Sequence, residues 1–191
     1  MIRSRTVWVT AALVTATLGA TAVPTVAAPA AAPRAAAACP TGWGSLSKTN
    51  SASTPGDYVT NARTGRHDCY DRFVVDVPGA SAAQLGYSVR YVTQLIQDPT
   101  GHPIPVSGGA IIEVIVRAPA YDIDSGTATY PGRVGERLPG VNLTGYRTFR
   151  DAKFGGTFEG QSQFGLGVRA RLPFRVLQQD GHLVVDVAHT W

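Results

Sequence analysis

The sequence is poor in several residue types, and each shortage excludes a class of protein. Its 191 residues include two cysteines, one methionine and two lysines, and only 16% of the residues are charged. Two cysteines are too few for a small fold stapled by many disulfides. The charged fraction is far below what a disordered chain requires, while a hydrophobic content of 44% is enough for a core. The composition also excludes a polytopic membrane protein and a coiled coil.

The N-terminal segment has the order of features found in a secretory signal. Arg3 and Arg5 give a positive start, an uncharged apolar run follows over residues 7–23, and several Ala-x-Ala sites come next. The alternative is a retained membrane anchor, for which this run is marginal against the ~20 apolar residues that a span needs. We expect an exported protein, free or associated with the cell wall, that keeps no stable membrane span after cleavage.

These features predict three segments. Residues 1–28 form the signal peptide, with cleavage between residues 22 and 38, residues 29–42 form an alanine- and proline-rich linker, and residues 43–191 form one domain. Removing residues 1–38 takes away three arginines and no acid, which leaves 14 basic and 13 acidic side chains and a formal charge of +1. So small a charge argues against a nucleic-acid partner, which needs a strongly basic surface.

Cys39 and Cys69 are the only cysteines. In an exported chain two cysteines most simply form one disulfide. The bridge would close a loop of 31 residues, for which chain entropy gives at most about 3.7 kcal/mol of stabilisation. Lipid modification of Cys39 is the alternative, but the large aliphatic residue that such a site has three positions earlier is missing.

From Cys39 onward the chain predicts an all-β domain. No ten-residue stretch shows helical periodicity, and glycine and proline recur every 8–15 residues between alternating apolar and polar residues. Six strands are predicted, at residues 72–77, 86–95, 110–118, 146–154, 164–178 and 182–188. Residues 42–66 and 119–145 are predicted to be loops. This pattern favours a β-sandwich of two small antiparallel sheets, with a small barrel as the alternative.

The last two strands predict a hairpin with a defined register. Asp180-Gly181 is a two-residue turn signal between alternating strands. It places Arg175 opposite Asp186, a pair of unlike charge. We expect a bulge or the end of regular pairing near Pro173, because proline has no amide donor.

A short internal echo links two of the predicted strands. Residues 73–77 match residues 183–187 at four of five positions, and an aspartate, Asp76 or Asp186, sits in the outward phase of each. The echo suggests equivalent strands in the two sheets of a pseudo-symmetric sandwich.

Catalytic and metal-binding motifs are scarce. No metal-ligand spacing links the four histidines, which are His67, His102, His182 and His189. No serine lies in a nucleophile elbow, and we predict no catalytic residue, no metal and no cofactor. Glu159 is the single acid in the loop 155–161 and would need a partner to hydrolyse a glycan. His189 is predicted to be partly buried at a sheet end.

Arginine is the residue type whose distribution indicates binding. The chain has 15 arginines against two lysines, and Arg169, Arg171 and Arg175 fall on one face of the predicted strand 164–178. Guanidinium groups in a row suit carboxylates and other anions. The alternative is a solvated sheet face in which these arginines are paired with acids.

Five stretches of the domain carry a family resemblance. They are residues 43–45, 86–92, 117–121, 158–176 and 183–189. Together they resemble the AMIN-like domain proteins of actinobacteria over about Trp43 to Trp191. The resemblance implies a β-sandwich of two small sheets that binds or localises to the bacterial cell wall, and it carries no established catalytic residues.

The sequence as a whole predicts a secreted, non-enzymatic module that binds the cell envelope. Its partner would be peptidoglycan or another anionic wall polymer, whose carboxylates meet the arginines while sugar rings stack on surface aromatics. The candidate binding residues are Arg169, Arg171, Arg175, Tyr121, Tyr130 and Glu159. The alternatives are a small-molecule-binding sandwich or barrel, and a wall-processing enzyme with Glu159 or His189 as base.

Overall fold

Alternation of apolar and polar residues makes most of the domain extended, because each strand can then bury one face. The computed structural model describes residue 39 and residues 42–54 and 56–191, so the predicted signal peptide and most of the linker lie outside the described residues. The strands are β1 (Lys48–Asn50), β2 (Asn61–Arg66), β3 (Tyr70–Asp76), β4 (Tyr87–Val92), β5 (Leu95–Ile96), β6 (Pro103–Ile104), β7 (Ala110–Val116), β8 (Phe149–Phe158), β9 (Gln161–Val168), β10 (Phe174–Gln179) and β11 (His182–Ala188). A short 3₁₀ helix, Ala82–Gln84, precedes β4. Within the described part of the chain, no helix has the length and hydrophobicity needed to cross a membrane.

The strands form two antiparallel sheets that pack against each other. The five-stranded sheet has the order β1-β4-β7-β9-β8, and the four-stranded sheet has the order β10-β11-β3-β2. β5 and β6 pair only with each other, in a short separate ribbon. The predicted β-sandwich of antiparallel sheets is therefore confirmed.

The core lies between the two sheets and uses the inward positions of their strands. Phe73 of β3 and Phe164 of β9 come from different sheets, and their ring centroids are 5.6 Å apart. Both side chains are fully buried, as are Val75 and Leu166 two residues further along the same strands. Burial of such a side chain contributes about 1.5–3 kcal/mol, so the period-two pattern decides which face of each strand turns inward.

The predicted β10–β11 hairpin is confirmed in its register. Arg175 pairs with Asp186 across the ladder, and the turn between the strands is Asp180-Gly181. Gly181 has a φ of +75°, a conformation that glycine adopts without penalty. Pro173 lies just outside β10, as expected of a residue that cannot donate to the ladder.

The prediction of one strand over residues 164–178 is wrong. β9 ends in the five-stranded sheet, and after a crossover at residues 169–173 the chain enters β10 in the four-stranded sheet. The apolar alternation does not break at the crossover, because Ala170 and Leu172 also pack against the core. The sequence pattern therefore hides the change of sheet.

The internal echo also has a different meaning from the one predicted. β3 and β11 are neighbours in the same sheet and pair antiparallel, with Asp186 opposite Arg72. The prediction that the two echoing segments lie in different sheets is wrong. Val75 of β3 and Val185 of β11 both belong to the hydrophobic core.

Other predicted strand boundaries also differ from the structure. β1 and β2 occupy part of the predicted loop 42–66, and β8 begins and ends later than the predicted strand 146–154. β4 ends before residue 95, where the chain leaves the sheet.

Residues 93–109, which include β5 and β6, form a flap over the outer face of the five-stranded sheet. Leu95 of the flap is fully buried. It packs where Gly165 of β9 has no side chain, since a Cβ there would collide with it. At Gly167 a Cβ would collide with the carbonyl oxygen of Ser107. Two glycines on the outward phase of β9 thus let the flap approach the sheet backbone.

Candidate functional site

Arg175 lies on the outer face of the four-stranded sheet, where it is paired. The fully buried carboxylate of Asp186 accepts a hydrogen bond from Arg175 Nε at 2.8 Å and two from Arg72, at 2.6 and 2.9 Å. The hydrogen bond to Asp186 raises the pKa of the Arg72 guanidinium above its ordinary value. The Arg175 guanidinium also lies 4.4 Å from the centre of the Trp43 ring. Arg175 is therefore paired with an acid on the sheet surface, which is the arrangement that the alternative interpretation of the arginine row predicts.

Arg169 and Arg171 lie in the crossover, so the predicted row of three arginines on one strand is wrong. The guanidinium of Arg171 donates to Ser45 Oγ at 3.2 Å and to the Ser45 carbonyl at 3.1 Å, and it lies over the Tyr91 ring. Burial raises the pKa of Tyr91, although its bond to Leu172 and the charge of Arg171 act in the opposite direction. Arg169 donates to the carbonyl oxygen of His189 near the C-terminus.

Other arginines meet at the end of the sandwich that Arg169 reaches. A cleft of about 290 Å³ opens there, lined by Arg66, His67, Asp68, Asp71, Arg147 and His189. We call it the arginine cleft. Arg66 ends β2 and Arg147 precedes β8, and sheet pairing brings these distant segments together. Arg147 donates to the carbonyl oxygen of Asp68 at 3.3 Å.

The floor of the arginine cleft is a buried pair of titratable side chains. Asp71 is 1% exposed, and its Oδ2 accepts from the amides of Thr148 at 2.6 Å and Phe149 at 3.0 Å. Its Oδ1 has no hydrogen-bond partner among the described residues and lies 3.9 Å from Nε2 of His189. His189 is buried, with Nδ1 3.0 Å from Thr148 Oγ1 and Nε2 3.0 Å from the His67 carbonyl oxygen.

The predicted disulfide borders this cleft. Cys39 and Cys69 are bonded to each other, which confirms the pairing. Cys69 lies between Asp68 of the cleft and the first residue of β3. Both cysteine sulfurs are in the bridge, so no thiol remains on Cys39 for a lipid.

Glu159 lies at the opposite end of β9 from Arg169. It forms the turn between β8 and β9 together with Gly160, and both residues have positive φ, +47° and +72°. β9 has 8 residues, and at a rise of ~3.3 Å per residue its two ends are about 25 Å apart. The predicted site residues therefore do not form one site.

A second cleft, of about 200 Å³, surrounds Glu159. It is lined by Asp98, Ile115, Phe158, Glu159, Gln161 and Gln163. We call it the turn cleft. Asp98 comes from the flap between β5 and β6, so the flap completes this cleft. Within the described residues, no group of three or more histidine, cysteine, aspartate or glutamate side chains could hold a metal ion in either cleft.

Comparison with known proteins identifies the domain. A family model described as the AMIN-like domain matches residues 57–189. The chain belongs to the AMIN-like domain family. No curated protein and no solved structure matches the chain. Family membership suggests a cell-wall-related binding module, and together with the intramolecular disulfide it is consistent with an extracellular or cell-wall location.

The two tyrosines predicted to stack on sugar rings have different positions in the AMIN-like domain. Tyr130 is 3% exposed, and its ring packs against Phe154 and Phe164 with centroids 5.1 and 5.9 Å away. The prediction that it is a surface aromatic is wrong, and burial raises its pKa. Tyr121 is half-buried and bridges to Ala128 in the loop after β7.

Surface aromatics lie at the arginine end instead. Trp191 is 72% exposed, and its indole Nε1 donates to the Arg171 carbonyl at 3.1 Å. The His67 ring stacks on Tyr70 at 4.5 Å, and Tyr70 meets Trp43 edge to face at 5.6 Å. The tryptophans at the two ends of the predicted domain, Trp43 and Trp191, are visible in the sequence. Their contacts with Arg175 and Arg171 are not.

Proposed function

We propose that this AMIN-like domain is a secreted, non-enzymatic module that binds peptidoglycan or another anionic polymer of the cell envelope through the arginine cleft. The observation that carries the proposal is the convergence of Arg66, Arg147 and Arg169, from three separate segments, at one end of the sandwich. Guanidinium forks match carboxylates in shape and charge. The carboxylates of wall peptides would be the groups they bind.

The contacts of these arginines leave their charge available. Arg147 and Arg169 donate to backbone carbonyl oxygens, of Asp68 and His189, which orient a guanidinium without neutralising it. Arg175, by contrast, is already paired with a carboxylate. Arg66 and Arg147 line the cleft and Arg169 lies beside it on the His189 carbonyl, whereas two acids line it, the exposed Asp68 and the buried Asp71. Three guanidinium groups against two carboxylates leave a net positive charge, which favours anions.

A glycan chain would need an apolar surface beside the anion site. Trp191, two residues after His189 of the cleft, would supply one, and its exposed indole is held by the hydrogen bond to the Arg171 carbonyl. An aromatic ring held at one edge presents a flat face at small entropic cost.

His189 as a base and the Thr148 hydroxyl beside it as a nucleophile would be the catalytic groups of this cleft, but their surroundings support binding rather than catalysis. A general base needs a ring nitrogen free to take a proton from the substrate, and both nitrogens of His189 lie at hydrogen-bond distance from protein oxygens. Thr148 is fully buried, out of reach of an external substrate. Between the sheets, Phe73, Phe154 and Phe164 fill the space that an enclosed small molecule would need.

The test is retention of the domain on purified sacculi. The variant Arg66→Ala/Arg147→Ala should bind about tenfold more weakly than the wild type, and its binding should depend less steeply on salt. The matched control is Arg117→Ala/Arg133→Ala, which removes the same charge from exposed positions that do not line the cleft. Amidation of the wall carboxylates should abolish retention of the wild type. Absence of retention at low salt, or equal losses in both double variants, would contradict the proposal.

A further inference from the structure

The turn cleft has the opposite electrostatic character to the arginine cleft. Asp98 and Glu159 both line it and both are exposed, whereas no lysine, arginine or histidine lines it among the described residues. Neither carboxylate takes part in a salt bridge within the part of the chain that the structure describes. The cleft therefore presents unneutralised negative charge in a concave site.

Gln163, which also lines the turn cleft, carries a buried acceptor without a donor. Gln163 is 6% exposed, and its Nε2 donates to the Ile96 carbonyl at 2.8 Å and to Glu113 Oε1 at 2.9 Å. These two bonds fix the orientation of the amide. Its Oε1 consequently has no hydrogen-bond partner among the described residues. It lies over Gly155, where a Cβ would collide with it. A buried carbonyl oxygen is normally hydrogen-bonded, so Gln163 brings an acceptor without a donor to a side chain that lines the turn cleft.

The remaining walls are apolar and the volume is small. Phe158 is exposed at the rim and Ile115 is partly exposed inside. The volume of about 200 Å³ is below the ~300–1,000 Å³ of sites that enclose a whole small molecule. It suits one side-chain-sized group with a short hydrocarbon stem.

We propose that the turn cleft binds an aliphatic primary ammonium group, carried by a free diamine or by an amino side chain of a peptide. An ammonium has three donors and no acceptor. The cleft offers acceptors of three kinds to match them: the Asp98 carboxylate, the Glu159 carboxylate and Gln163 Oε1. The stem would lie on Phe158 and Ile115. A metal ion is a poorer match, because no cluster of three ligating side chains exists among the described residues.

The backbone conformation of Glu159 also agrees with a binding role. Its φ of +47° is one that non-glycine residues rarely adopt, and asparagine, aspartate or glycine is the usual choice at this position of a two-residue hairpin. A carboxylate thus stands where the backbone would favour another residue. Glycan hydrolysis by Asp98 and Glu159 is the weaker interpretation, because a general acid is usually a carboxylic acid kept protonated by an apolar pocket and both of these side chains are exposed.

The test is an NMR titration of the wild-type domain with 1,5-diaminopentane. We expect shift changes at the side-chain amide of Gln163 and the backbone amides of Phe158 and Glu159. Lysine peptides with an acetylated N-terminus and either a free or an acetylated ε-amine form the second arm, which separates a peptide source from a free diamine. Binding of either amine supports the proposal, and the tighter one identifies the source. Equal binding of the ε-acetylated peptide, or no shifts with any amine at millimolar concentration, would overturn it.

Variants separate recognition from folding. Glu159→Gly removes the carboxylate while relieving the left-handed backbone, so it should fold and bind the amine about threefold to tenfold more weakly. Asp98→Asn should have a similar effect. Glu136→Gln, at an exposed acid that does not line the turn cleft, is the charge-matched control and should bind as the wild type does. Unchanged affinity in both cleft variants would refute the assignment, and this outcome is independent of whether the arginine cleft binds sacculi.

Discussion

Asp186 is the residue on which the outer face of the four-stranded sheet depends. Its carboxylate is fully buried and accepts three hydrogen bonds, two from Arg72 and one from Arg175. The side chains of Arg72 and Arg175 keep 25% and 32% of their surface exposed. Water therefore reaches the two guanidinium groups but not the carboxylate of Asp186. Trp43 then packs on the Arg175 guanidinium.

The substitution Asp186→Asn should destabilise the domain by about 1–3 kcal/mol. It keeps the shape of the side chain but leaves two guanidinium groups without a counter-charge, and it turns one acceptor into a donor that faces them. The loss stays below that of a fully buried pair because Arg72 and Arg175 can be hydrated. Urea unfolding measures it. Asp124→Asn, in an exposed turn, is the control and should change the unfolding free energy by less than about 0.5 kcal/mol; a loss in Asp186→Asn no larger than this would refute the role.

Single residues were predictable where strand parity determines their surroundings. The Arg175–Asp186 pair followed from the two-residue turn, and the structure has it. Tyr130 lies in the long loop before β8, where no alternation tells which side of the chain faces the core. Its burial depends on Phe154 and Phe164, which belong to strands that follow it in sequence.

At the scale of elements, β9 serves two interfaces at once. Phe164 and Leu166 face the core, while Gly165 and Gly167 face the flap. Two polar side chains of the five-stranded sheet also hold the flap. Gln163 of β9 donates to the Ile96 carbonyl, and Asp151 of β8 accepts from the Ser107 amide at 3.0 Å. The glycines are therefore required by close approach rather than by a turn.

Gly167→Ala should loosen the flap. The new methyl would meet the Ser107 carbonyl oxygen, so either the flap or β9 must move, at about 1–3 kcal/mol. We expect a lower unfolding free energy in urea and faster proteolytic cleavage within residues 93–109. Gly65→Ala is the matched control, because its Cβ would approach only His67 Nε2, at an ordinary 3.7 Å. Equal protease sensitivity of the two variants would contradict the close-packing argument.

Element boundaries could be predicted only where the pattern itself changes. Pro173 marked the start of β10 correctly, yet the crossover before it stayed hidden because Ala170 and Leu172 continue the apolar phase. β2 was missed for the opposite reason. It is an edge strand of polar residues with a glycine in it, and its pairing with β3 supplies the regularity that its own sequence lacks.

For the whole molecule, sheet order decides which residues can form a site. The excess of arginine indicated anion binding, but the sequence predicted the candidate site as a row on one strand, at Arg169, Arg171 and Arg175. Three-dimensional pairing instead brings Arg66 and Arg147 to the His189 end and separates Glu159 from it by the length of β9. No sequence period encodes such a neighbourhood, because it depends on which strands pair and in what order.

The disulfide joins Cys39 to Cys69, which lies between Asp68 of the arginine cleft and the start of β3. Its reduction therefore tests both stability and binding. Closing a loop of 31 residues contributes at most about 3.7 kcal/mol through the entropy of the unfolded chain. Reduction should lower the unfolding free energy by an amount up to this value. It should also weaken retention on sacculi, since Cys69 adjoins Asp68, whose carbonyl orients Arg147.

The control is Cys39→Ala/Cys69→Ala, which should match the reduced wild type and be insensitive to reductant. A double variant as stable as the oxidised wild type would show that the bridge constrains neither state of the chain.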